Sequence, residues 1–91
     1  MVYMITYDLN KEGQQYENVI AAIKDASTGV WFSAWKSSYL IQSELPAADD
    51  VFKKIKPYLD SNDRLFVAEI KSNYQGWLTG EQWEYINNEL F

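Results

Sequence analysis

The feature that most constrains this fold is the run Val2 to Asp8, a strand-length segment whose two alternating sets are both largely apolar. Val2, Met4 and Thr6 lie on one side, and Tyr3, Ile5 and Tyr7 on the other. A strand with one face in water alternates apolar with polar residues, so one apolar on both sides belongs inside a sheet covered on both faces. Asp8-Leu9-Asn10 closes the run with turn-forming residues. The sequence therefore predicts a central strand and something packed on each side of it.

From Gln14 to Ala26 the period changes. Tyr16, Val19, Ile20 and Ile23 recur at three- and four-residue spacing, the stripe of an amphipathic helix, and Ala21 and Ala22 favour it further. Ser27-Thr28-Gly29 ends the helix, with Gly29 suited to the left-handed conformation that follows many helices. Val30 to Trp35 reads as a second strand, with Trp31, Ser33 and Trp35 on one face and Val30, Phe32 and Ala34 on the other. Lys36-Ser37 makes a short turn into a third strand, Ser38 to Ser43, and the pair reads as a hairpin.

Val51, Phe52, Ile55 and Leu59 form a second helical stripe from about Ala47 to Tyr58, with a distorted last turn at Pro57, which cannot donate a backbone hydrogen bond. Asp60-Ser61-Asn62-Asp63 is a dense turn cluster, and Arg64 to Lys71 is a fourth strand. The order β-α-β-β-α-β is that of the ferredoxin-like split βαβ arrangement, an α+β sandwich with helices on one face of an antiparallel sheet. The other face is also apolar and needs a cover. Either the tail or a second subunit can supply it. Thr79 can cap a helix starting at Gly80, Glu81 and Glu84 suit its positive end, and Trp83, Ile86 and Leu90 give it an apolar stripe, with Trp77 and Leu78 just before. The expectation is one domain over 1–91: a core of about 2–71, an extension of about 72–91, and a C-terminal helix.

Composition narrows the chemistry. The chain has no cysteine and no histidine, which removes disulfides, thiolate metal sites, the usual neutral-pH base and the commonest metal ligand. Any catalysis must rest on carboxylates, hydroxyls, lysines or a bound cation. Thirteen acidic and eight basic residues leave a net charge of −5, which opposes non-specific binding to a polyphosphate backbone. The N-terminus has no basic leader, and no apolar run approaches the roughly 18 residues of a membrane span, so a soluble cytoplasmic protein without a membrane partner is expected.

Several of these residues also carry a family resemblance. Tyr7-Asp8-Leu9-Asn10-Lys11, Gly13-Gln14 and Tyr16, then Ser38-Tyr39-Leu40, Pro57, Leu59-Asp60 and Asn62-Asp63, resemble SinR-like small bacterial and phage proteins over roughly residues 3–70, and Trp77 extends the likeness. These are in turn similar to the CRISPR-associated Cas-two family of small ferredoxin-fold homodimers. That resemblance implies a homodimer, and it implies a role for Asp8: in the Cas-two family an aspartate at the end of the first strand meets its copy across the dimer, and metal-dependent nucleic-acid cleavage is attributed to the pair. Other members serve as non-catalytic scaffolds. The chain departs from the pattern where Lys11 is followed by Glu12 and Glu17 rather than a basic helix, and at Phe32 and Ser33, where some SinR-like relatives carry histidine.

Each polar or aromatic candidate has two readings. Asp8 is the catalytic and metal candidate, able with its copy to hold magnesium, a hard cation that prefers oxygen ligands; equally, Asp8 and Asn10 are loop residues bonding nearby amides. Lys53, Lys54 and Lys56 are the one basic cluster, either a phosphate contact or solvated lysines on an outer helix face. Trp31 and Trp35, with Tyr39, form an aromatic face that either stacks bases or packs under the tail helix or in a dimer core. Tyr74-Gln75-Gly76-Trp77 reads either as a functional loop or, as we favour, as the turn into the last helix. The last twenty residues carry −3 and no base, a solvated surface or one made for a basic partner. Two functions follow: a homodimeric, non-catalytic protein-interaction or regulatory module, or a weak magnesium-dependent endonuclease acting on RNA or DNA through Asp8.

Overall fold

A computed structural model describes residues 1–10, 14–33 and 35–91. Lys11, Glu12 and Gly13 of the family-like opening, and Ala34 of the expected second strand, lie outside the described residues. The chain forms β1 (Val2–Asp8), α1 (Gln14–Ala26), β2 (Trp31–Phe32), β3 (Ser38–Gln42), α2 (Ala48–Ile55), β4 (Arg64–Ile70) and α3 (Gly80–Tyr85). The four strands make one sheet in the order β2-β3-β1-β4, with every neighbouring pair antiparallel. The protein is thus α+β, and β1 is a central strand, as its two-sided apolarity predicts.

The register sorts the two faces. Tyr3 sits opposite Ile41, Ile5 opposite Tyr39 and Val67, and Tyr7 opposite Leu65. These residues turn toward α1 and α2 and form the main core with Val19, Ala22, Ile23, Ala26, Val51 and Ile55. Val2, Met4 and Thr6 pair with Gln42, Leu40 and Ser38 on one side and with Ile70, Ala68 and Phe66 on the other, and they line the outer face. The tail covers part of it: Ile86 and Leu90 are buried against Val2, with Phe32, Leu40, Ile70, Leu78 and Trp83 around them. The tail closes the Val2 end, while Thr6 and Phe66, at the other end, remain exposed.

Helix ends follow local chemistry. Gly29, just past α1, takes the left-handed φ of 107° that a Cβ disfavours. The last turn of α2 tightens into a 3-10 turn over Lys56–Tyr58 around Pro57, the distortion its missing N–H requires. Thr79 caps α3 as expected, and the helix then loosens to i+5 bonding over Ile86–Leu90. Among the described residues no helix is long and apolar enough to cross a membrane.

The second strand differs from its expected extent of 30–35. It is an edge strand of two residues, and its pairing with β3 ends at Phe32 opposite Leu40. Beyond it Ser33 donates to the carbonyls of Trp35 and Ser38, at 3.1 and 2.9 Å, and Ser37 adopts a left-handed φ of 65°. The Ser37 carbonyl then accepts from the Tyr7 amide at 3.1 Å, which ties this connection to β1. Side-chain hydrogen bonds thus take over where the strand ladder stops.

Candidate functional site

The three residues expected to share one aromatic face are split between two. Trp31 and Tyr39 pack together on the helix-covered side, ring centroids 5.7 Å apart, and the Lys24 ammonium lies 4.2 Å from the Trp31 centroid. Neither ring faces the tail. Trp35 instead borders the outer side, beside Met4 and Leu40, and is 55% exposed. The alternation that would align it with Trp31 holds only along a strand, and the strand ends at Phe32. It is Phe32, next to Trp31, that meets the tail, stacking on Tyr85 at 5.7 Å and 28°.

Asp8 ends β1 on the outer side and is exposed, opposite Arg64 of β4 in the register. Among the described residues no group of three or more carboxylates gathers that could hold a metal ion. One carboxylate set opposite an arginine is a poor donor set for magnesium, which needs several oxygen ligands; within one chain the group does not fit, and a second Asp8 would have to come from another copy. The neighbouring turn is self-contained. Asp63 accepts from the Asn10 and Asp60 amides at 2.8 and 3.0 Å, and Asp60 accepts from the Asn62 amide at 2.9 Å. Arg64 donates to the carbonyls of Ser61 and Asp63. Asp63 thereby joins the exit of β1 to the entry of β4.

The basic cluster is spread over the exposed side of α2 and the turn after it. Lys53 pairs with Asp49 at 3.0 Å one helical turn away, and the hydrogen bond to that carboxylate holds its ammonium above the ordinary value. Lys54 pairs with Asp25 of α1 at 3.3 Å, and Lys56 is exposed. Two of the three positive charges are matched by neighbouring acids, so the footprint for a phosphate is smaller than the sequence suggests.

An apolar cleft of about 490 Å³ lies on the outer face. Met4, Leu40 and Ile70 belong to the sheet beneath it, and Trp35, Trp77 and Trp83 border it. No charged residue lines it among those described. Its tail side is held by stacked rings: Tyr74 lies 4.9 Å from Phe91 and 6.2 Å from Trp83, both nearly parallel, and its hydroxyl donates to Asn87 Oδ1 at 2.8 Å. Trp77, just before the expected apolar stripe, stands with its indole 100% exposed at the rim. Phe66, on the open end of the same face, is 62% exposed. Sequence reasoning did not single out Met4, Phe66 or the cleft. The available signals were the apolar second face of the first strand and Trp77, an aromatic placed outside any periodic pattern.

Compared with known proteins, the chain matches no family model, and no curated protein is significantly similar to it.

Proposed function

We propose that this protein is a cytoplasmic, homodimeric, non-catalytic protein-interaction module on a ferredoxin-like fold, of the SinR-like and Cas-two-like kind. The observation that carries this reading is the half-covered outer face, where Trp35 and Trp77 stand exposed beside an apolar cleft lined by no charged side chain among the described residues. Exposed apolar patches of this sort mark association surfaces. The strand order and the β-α-β-β-α-β succession support the ferredoxin-like assignment. Light-scattering mass at micromolar concentration, with and without magnesium, tests the dimer. A monomer with no recoverable protein partner counts against the module.

One observation favours the second reading, a magnesium-dependent endonuclease: Asp8 stands exposed at a strand end on the same side as the open surface, where a second copy can bring its own Asp8 near. The same dimer sample, assayed for RNA and DNA cleavage against Asp8→Asn, separates the two. Cleavage that disappears in the variant establishes the nuclease; a dimer that never cuts leaves the module.

A further inference from the structure

Resting on the dimeric reading above, we propose that the occupant of the outer-face cleft is Trp77 of a second copy of this chain, the two copies exchanging indoles across a two-fold axis. An isologous interface requires a patch complementary to itself, so that any protruding group and its receptor lie side by side on one surface. This chain has both. Trp77 projects with its whole indole in solvent, and the cleft it borders is open to a ring from outside. The cleft volume of about 490 Å³ falls within the range of about 300–1,000 Å³ typical of sites that take ring-sized guests. Trp35, half-exposed and bordering the same cleft, supplies an aromatic surface for the incoming indole.

Charge permits a second copy at this place. Each chain carries −5, so apposition is tolerated only where the contact brings no acids together. The cleft lining contains no charged side chain among the described residues, and it is the part of the surface where two such chains can meet. Burying Trp77, Trp35 and Phe91, now 100%, 55% and 47% exposed, removes about 400 Å² of aromatic surface per copy. A standard interface takes about 800 Å² from each partner, so even with surrounding residues this is a contact at the small, weak end of the range, populated as concentration rises.

Sedimentation equilibrium of the full chain, from micromolar to near-millimolar concentration, tests this with Trp77→Ala, Trp35→Ala and Phe66→Ala. Trp77 is wholly exposed, so its replacement leaves the fold intact, which circular dichroism verifies. The expected result is a wild-type dimer weakened at least about a hundredfold by Trp77→Ala, since both insertions are lost together, with a smaller loss in Trp35→Ala and little change in Phe66→Ala. Dimerisation should also strengthen as salt rises, because salt screens the mutual repulsion. A Trp77→Ala dimer as tight as wild type overturns the exchange but keeps the dimeric module, with its contact elsewhere. A wild-type monomer throughout the range overturns both the exchange and the dimer.

Discussion

Thr79 and Gln82 satisfy each other at the start of the tail helix: the Thr79 hydroxyl accepts from the Gln82 amide at 3.2 Å, and Gln82 Oε1 accepts from the Thr79 amide at 3.0 Å. This capping box begins a helical segment of only six residues, too short to hold itself together without such an end or a packed face. Thr79→Ala should cost about 1 kcal/mol, and amide exchange should speed up in 80–90 before the rest of the chain. Serine at the same position should restore most of the loss.

The packed face of the tail is the stronger hold. Ile86 and Leu90 are 2% and 1% exposed against Val2. Replacing either by alanine should destabilise by about 2–4 kcal/mol, through lost burial and the cavity left behind. Chemical denaturation measures the loss, and increased binding of a hydrophobic dye would report the uncovered sheet.

Ser43 joins two segments. Its buried hydroxyl donates to the Ala26 carbonyl at 2.7 Å and accepts from the Leu45 amide at 3.2 Å, which fastens the end of α1 to the chain after β3. Ser43→Ala leaves both backbone groups short of a partner and should cost about 1–3 kcal/mol, read from the shift in denaturant midpoint at constant slope.

Alkaline pH should unfold the protein through its tyrosines. Burial, then nearby acids, raises the Tyr3 hydroxyl above its ordinary value of 10.0, and its proton is donated to the Leu45 carbonyl at 2.6 Å. Burial and the adjacent Tyr16 raise Tyr7, and burial raises Tyr39. In each case the folded chain holds the proton more tightly than the unfolded chain. The stability this supplies is complete below pH 10 and is lost as pH climbs from there through the folded values. Each of the two buried rings, Tyr3 and Tyr7, removes up to about 1.4 kcal/mol per pH unit in that window. Tyr7→Phe should flatten the alkaline limb of a stability-versus-pH curve.

Asp8→Asn should leave folding stability within about 0.5 kcal/mol, because Asp8 is exposed and the turn beside it is held by Asp60 and Asp63. Thermal unfolding checks this, and an unchanged midpoint makes any effect of the variant on cleavage a statement about chemistry.

Much of this molecule follows from local rules. Val2–Asp8 is a central strand because it is apolar on both sides, α1 runs from Gln14 to Ala26 because the stripe and Gly29 set its ends, and Pro57 and Thr79 mark a distorted turn and a cap wherever they occur. What periodicity could not reach were the positions beyond the end of an element. Trp35 changes sides relative to Trp31 because the ladder that enforces alternation stops at Phe32, where an edge strand has only one neighbour to hold it. Trp77 faces water rather than the sheet because the irregular segment before α3 repeats no angle from residue to residue, so only the docking of Tyr74, Trp83 and Phe91 decides where its indole points. The sheet and helices come from side-chain pattern; the open aromatic surface comes from how far a short tail can reach across one face.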